Sequence, residues 1–190
     1  MVSVHTSAST LFNHLSVLYL MHVFARRGSI VRISLQNFVT YTTAELRPSP
    51  QLNVIVGPNG SGKSSLVCAM VLGLGGKPAF LGRAKDAADY IKAGCDHAVI
   101  EIELYTGQGK NKVVRRDIYK DNSTWKIDGK PVRLKDIENL VRDFNIQVEN
   151  LCSFLPQDRV VSFAALDSAS LLKETGPCFC CMFNRRCVVH

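Results

Sequence analysis

From Ile30 the chain reads IVRISLQNF, with apolar and polar residues alternating as in a strand that buries one face. TTAELRP follows after a turn as its antiparallel partner, and Pro48-Ser49-Pro50 then breaks the chain. LNVIV, Leu52 to Val56, is a short β-branched run suited to a strand buried on both faces. SSLVCAMVLGLG reads as a helix that ends in the cluster Gly73, Gly75 and Gly76. KPAFLGRAKDAADYIKAG reads as a loop with a short helix. HAVIEIELY (97–105), NKVVRRDIYK (111–120) and STWKID (123–128) predict three antiparallel strands, with turns at Gly107-Gln108-Gly109 and Asp121-Asn122. In that pattern Glu101 and Glu103 fall on the solvated face. Asp128-Gly129 is expected to turn the chain directly into the helix VRLKDIENLVRDF, whose Leu134, Ile137, Leu140, Val141 and Phe144 share one face.

The sum is a mixed α/β lobe within 190 residues, enough for one domain or one large lobe of a domain. Charge adds an asymmetry to the formal net +7. Residues 1–80 hold six bases (Arg26, Arg27, Arg32, Arg47, Lys63, Lys77) against the single acid Glu45, and the remainder is nearly balanced. Such a surplus fits a polyanion such as DNA and is equally common on domains without one. Cys68, Cys95 and Cys152 are scattered through apolar or helical surroundings, as reduced buried thiols are. The other four crowd into CFCCMFNRRC, a spacing outside the usual zinc patterns, so 177–190 is expected to lie outside the fold. Residues 1–27 read as a leader: TLFNHLSVLYLMHVFA is interrupted by Asn13, His14 and His22, short of the roughly 18–20 apolar residues a membrane span needs. The absence of acids and the Arg26-Arg27 pair follow the style of a mitochondrial presequence, but the favoured reading is an unstructured or mis-annotated leader ahead of a domain that starts near Gly28.

The chemistry concentrates between the LNVIV strand and the following helix. Gly57-Pro58-Asn59-Gly60-Ser61-Gly62-Lys63-Ser64 fits G-x-x-x-x-G-K-[ST] throughout. Glycines at 57, 60 and 62 let the backbone curl so that its N–H groups form an anion nest at the positive end of a helix dipole. Lys63 can reach the β- and γ-phosphates of a nucleotide, the Ser64 hydroxyl can ligate Mg²⁺, and Ser65 can reach the α-phosphate. The alternative is a glycine turn that merely starts a helix. Hydrolysis needs a carboxylate for Mg²⁺ as well, typically at the end of an apolar strand. No apolar run in this sequence ends in Asp or Asp-Glu.

GPNGSGKSSLV, the preceding Leu35, Asn37, Phe38, Thr40 and Tyr41, the stretch GKPAFLGRA (76–84) and NIQVENLCSFLPQDRV (145–160) together resemble the N-terminal head segment of structural maintenance of chromosomes (SMC) ATPases. FLPQDRV, LGLGGKP and LGRA resemble the Smc-five branch, partner of Smc-six in a chromosome-repair complex. The resemblance spans 28–176 and implies a P-loop NTPase of the ABC-type head, its N-terminal lobe only, with a flanking antiparallel sheet. It implies Gln157 as the Q-loop residue that contacts Mg²⁺ and the attacking water. It implies Arg83 as an arginine approaching nucleotide phosphate or DNA; an ordinary surface arginine is the alternative. ATP and Mg²⁺ are the implied cofactors. DNA, an Smc-six-like subunit and the C-terminal lobe of its own full-length subunit are the implied partners, with no membrane involved. That lobe carries the Walker B acids and the signature motif, which explains the missing carboxylate. A nuclear, chromosomal setting and roles in DNA repair, recombination and cohesion follow from the same resemblance. PCFCCMFNRRCVVH has no heptad pattern where a coiled-coil arm is expected, so a truncated gene model or splice read-through is expected there. The other open readings are a non-catalytic fragment that binds DNA or a partner head, and an unrelated P-loop NTPase or kinase.

Overall fold

The computed structural model describes residues 27–49, 52–82 and 84–183, with only the backbone of Ser3–His5, Leu20–His22, 158 and 177–183. Its largest element is a six-stranded sheet in the order β4-β3-β6-β7-β8-β9, every neighbouring pair antiparallel. The strands are β3 (Ile30–Phe38), β4 (Tyr41–Leu46), β6 (His97–Leu104), β7 (Lys112–Tyr119), β8 (Ser123–Ile127) and β9 (Lys130–Val132). The alternation read in the sequence becomes two faces. Ile33, Leu35, Ile100, Ile102, Leu104, Val114 and Ile118 point to one side and are fully buried.

Against that side lies α1 (Lys63–Gly73), whose residues from Ser65 onward are all buried. Gly73 is the point of closest approach: a Cβ there would sit 2.7 Å from Ile100 Cγ2 and Ile102 Cδ1. Arg116 also points to this side. Its guanidinium donates to Leu72 O at 2.9 Å and Ser123 Oγ at 3.2 Å and lies 4.6 Å from the centre of the Trp125 ring. Burial pushes its pKa down to about 10, so it remains charged at neutral pH and sits at the negative end of the α1 dipole.

The opposite face carries paired charges instead of a simple solvated row. Arg32 binds both Glu101 and Glu103, the latter at 3.2 Å, and Asn111 adds a bond to Glu103. Further along, Arg115 and Lys126 hold Asp117 at 2.8 and 3.2 Å. Glu101 and Glu103 are therefore half-buried partners in a cross-strand ladder, because the wide sheet brings Arg32 of β3 opposite them.

Three further expectations are corrected. Asp128-Gly129 does not lead straight into a helix: both residues have positive φ (51° and 81°), the geometry of a tight hairpin turn, and β9 pairs with β8 before α3 (Leu134–Asp143) begins. Leu134 is exposed at the start of α3, whose buried residues are Ile137 and Val141, with Phe144 buried just beyond its end. Of the cysteines, Cys68 is buried, but Cys95 is half-buried and Cys152 exposed.

β5 (Leu52–Val56) stands outside the large sheet, between β1 (Ser3–His5) and β2 (Leu20–His22), antiparallel to both. Its burial alternates: Asn53 and Ile55 are buried, whereas Leu52 and Val56 are exposed. The strand expected to be buried on both faces thus buries one, since β1 and β2 occupy its edges and cover neither face. Asn53 fixes the entry by exchanging two hydrogen bonds with the Ser49 backbone, at 2.8 and 2.9 Å. At the far end, α4 (Val160–Ala164) and α5 (Ser168–Phe183) follow the 145–156 segment, and α5 runs past residue 176. The side chains of the CFCCMFNRRC cluster lie outside the described residues.

Candidate nucleotide-binding site

The segment from Gly57 to Gly62 joins β5 to α1 in a tight curl. Ser61 N donates to Pro58 O at 3.2 Å, and Gly60 and Gly62 take φ of 80° and 99°, which side chains strongly disfavour. A Cβ on Gly57 would lie 2.7 Å from Ser61 Oγ, so a side chain there would force that hydroxyl out of its place. Gly62 is the N-cap of α1 and provides no side-chain cap, and no acid stands in the first turn. The first N–H groups of an 11-residue helix are thus left to whatever enters the curl, at the positive end of its dipole.

Lys63 folds back over the loop, its Nζ donating to Gly57 O at 2.6 Å and Pro58 O at 2.8 Å. The ammonium is therefore held above the curl by two of its three N–H groups. Ser61 Oγ is buried without a hydrogen-bond partner, a costly state that a ligand oxygen or water would relieve. Ser64 is half-buried on the first turn, Ser65 is buried, and Asn59 is exposed at the outer bend. Uncapped amides, a poised cation and an orphaned hydroxyl make a donor set that fits a polyphosphate. The β3–β4 hairpin closes one side: Tyr41 Oη donates to Gly62 O at 3.1 Å.

Gln157 belongs to a neighbouring element. It is exposed and opens a 3-10 turn over Gln157–Arg159, after the buried Pro156. Contacts dock this region on the segment after α1: Arg159 Nη2 donates to Ala79 O of α2 (Pro78–Leu81) at 3.3 Å, and Glu149 Oε1 accepts from Lys77 N at 3.0 Å. Gly76 has no room for a Cβ, which would meet Val148 Cγ1 at 2.8 Å. Loop and Gln157 are thus linked through α1, the glycine turn and α2. Arg83 lies outside the described residues. The Tyr41 contact was missed from the sequence, where Thr40 and Tyr41 stood only as part of a motif.

The RecF/RecN/SMC N-terminal domain family matches residues 29–182. The chain belongs to this family. Structural maintenance of chromosomes protein 5 of Schizosaccharomyces pombe is 50% identical over 149 residues, covering 78% of this chain and 14% of that protein. The Arabidopsis thaliana protein of the same name is 45% identical over 150 residues, again 78% and 14%. Structural maintenance of chromosomes protein 6B of A. thaliana is 32% identical, covering 72% and 14%. The chain thus spans about a seventh of the length of these relatives. A solved SMC ATPase, described for its ATP-driven dimerization and DNA-stimulated activation, superposes with a TM-score of 0.69 at 24% identity over 78% of this chain and 98% of that one. An Smc head bound to the C-terminal winged-helix domain of ScpA gives 0.60 at 19%, covering 81% and 54%. These two likenesses establish the fold.

The chain corresponds to an SMC N-terminal head domain, similar to Smc5. Among the described residues of this SMC lobe, no group of three or more His, Cys, Asp or Glu side chains is placed to hold a metal, and no helix is long and apolar enough to cross a membrane. The charged ladder on the outer sheet face sits on the opposite side from α1 and its loop. In that ladder Glu103 is held below the usual carboxylate range by Asn111 and Arg32, and Asp117 by Arg115 and Lys126 against the opposing effect of burial. Those acids are committed to the sheet.

Proposed function

We propose that this SMC head lobe binds Mg·ATP in the Gly57–Ser65 loop and contributes half of a composite ATPase site. The observation that carries the reading is the loop itself: left-handed glycines, an uncapped α1 and the orphaned Ser61 hydroxyl facing one curl beneath the Lys63 ammonium. In this reading Gly57, Asn59, Gly60, Ser61 and Gly62 wrap the phosphates with backbone and side-chain donors. Lys63 neutralises the β- and γ-phosphates, and Ser65 reaches the α-phosphate. Ser64 and Gln157 hold Mg²⁺, with Gln157 also orienting water, and Arg83 approaches the phosphates from its loop. The ion supplies charge neutralisation across the phosphates when bound. The remaining carboxylate must come from a complementary C-terminal lobe, and turnover from pairing with a second head.

The likeness to Smc5 supports the finer reading: a heterodimer with an Smc6-like subunit, DNA as the polyanion met by the basic chain, and chromosome maintenance and repair in the nucleus. A non-catalytic role is the second reading. It is favoured by the apolar side chains left exposed on β5, α4 and α5, where Val56 is 52%, Val161 80% and Leu172 70% exposed. Surface of this kind fits association with another protein element.

The deciding experiment measures Mg·ATP affinity and hydrolysis by the 190-residue chain, alone and with a separately expressed C-terminal lobe of an Smc5 relative. Binding alone, abolished by Lys63→Ala, with turnover only on reconstitution and lost in Gln157→Ala, is expected. Absence of binding by the wild-type chain refutes the nucleotide reading. Turnover by the isolated chain refutes the composite-site reading, and binding without turnover in the reconstituted pair favours the non-catalytic one.

A further inference from the structure

The β3–β4 hairpin meets the phosphate loop with no slack. A Cβ on Gly62 would lie 2.7 Å from both Cζ and Oη of Tyr41 and 2.8 Å from Thr40 Oγ1. Gly62 O accepts two hydrogen bonds, one from Leu66 N–H at 3.2 Å, the first of the helix, and one from Tyr41 Oη at 3.1 Å. The carbonyl of Gly62 and the N–H of Lys63 belong to one planar trans peptide and point in opposite directions. Whatever fixes the direction of Gly62 O therefore fixes the direction of the Lys63 N–H. Rotation of that peptide turns ψ of Gly62 and φ of Lys63; glycine offers little resistance on its side, so the two hydrogen bonds set the direction together with the helical start at Lys63.

We infer that Tyr41 is a positioning residue for the phosphate loop, its hydroxyl holding the Gly62–Lys63 peptide so that the Lys63 amide is aimed at bound phosphate. The hairpin is built to hold the tyrosine still. Asn37 and Val39 both take positive φ, 49° and 48°; for the β-branched Val39 this is rare and persists only where the surroundings enforce it. Here they do: Val39 N donates to Tyr90 O and Lys92 N to Asn37 O, each at 2.8 Å, and buried Phe38 stacks on Tyr90 at 5.9 Å. Burial raises the Tyr41 pKa above its ordinary value, so the hydroxyl keeps its proton and remains a donor at physiological pH.

This inference rests on the nucleotide reading of the loop, and the test separates the two. Tyr41→Phe deletes the donor and keeps the ring that packs on Gly62. Affinities of the full 190-residue chain for Mg·ATP and Mg·ADP are measured by calorimetry well below the melting temperature. The net value of one hydrogen bond predicts that both weaken by about three- to tenfold and by the same factor, since both ligands carry the β-phosphate. Amide exchange in the ligand-free variant should quicken at Leu66, whose N–H bonds the same Gly62 O, and stay unchanged in β6 and β7. Unaltered affinities, or a lower melting temperature with unaltered affinities, would overturn the positioning role. A wild-type chain without nucleotide affinity would instead overturn the underlying reading, and exchange at Leu66 in Tyr41→Phe would still report whether the hydroxyl holds the peptide.

Discussion

Gly73→Ala sets two effects of opposite sign against each other at the junction of α1 and the sheet. Alanine is the better helix former, by about 1 kcal/mol in a helix interior and less at the last residue, where Gly73 stands. The added Cβ, however, would lie 2.7 Å from Ile100 Cγ2 and Ile102 Cδ1, about 1 Å inside normal carbon contact. Ile102 Cδ1 is the end of a side chain and can swing, but Ile100 Cγ2 is fixed to a β-branched Cβ with little rotamer freedom, and both isoleucines are fully buried. Overpacking of this kind costs about 1–3 kcal/mol, so a net loss of about 1–2 kcal/mol is expected. For a chain of this size that lowers the melting temperature by roughly 3–6 °C. Urea unfolding provides the assay, and the single tryptophan, Trp125, lies buried next to Arg116 and reports directly on this packing. An unchanged or higher midpoint in the variant would show that helix propensity outweighs packing here and would refute the argument.

Arg116→Met keeps most of the apolar stem but removes the donor to Ser123 Oγ and the shorter of the two bonds to Leu72 O, which keeps the one from Gly75 N at 3.4 Å; roughly 1–2 kcal/mol of stability should be lost in the same urea assay. Arg116→Lys should not restore it, since an ammonium cannot reach both acceptors and stack on Trp125 as the planar guanidinium does. Asp117, Glu103 and Asp128 all have folded pKa values below their ordinary ones, held down by Arg115 and Lys126, by Asn111 and Arg32, and by Lys112 with the Val113 amide, with burial opposing in each case. Such groups stabilise the fold above about pH 4 and lose that contribution as pH falls through the depressed values, so unfolding free energy should drop below about pH 4. Asp117→Asn should flatten that limb in a urea series from acid to neutral pH; an unchanged slope would mean that the Arg115–Asp117–Lys126 group contributes nothing to it. Gly62→Ala should abolish nucleotide binding in titration calorimetry, through both its positive φ and the Tyr41 ring in the way of the new methyl; retained affinity would show that the loop tolerates another backbone path.

The sequence was most informative where a single local period or a single glycine-rich motif decides the outcome. The strands of the large sheet other than β9, and the helix after the loop, follow from alternation and from glycine placement, and each lies within a few residues of its expected bounds. The misreadings have two physical origins, a partner distant in the chain and a segment too short to show its period. Glu101 and Glu103 look solvated until β3 brings Arg32 across from them, 69 and 71 residues away. LNVIV looks buried on both faces because burial by alternation and burial by enclosure produce the same apolar run in five residues. Asp128-Gly129 was a legible hairpin signal, but the strand after it holds only Lys130–Val132, too short to show a period. The same reasoning explains why the site itself was only half visible. Glycines, lysine and serine of the loop are contiguous and declare their chemistry, whereas Tyr41 acts on Gly62 across 21 residues and from another element. A motif names the groups that can touch phosphate; the hairpin fixing their direction becomes visible only when the chain is folded.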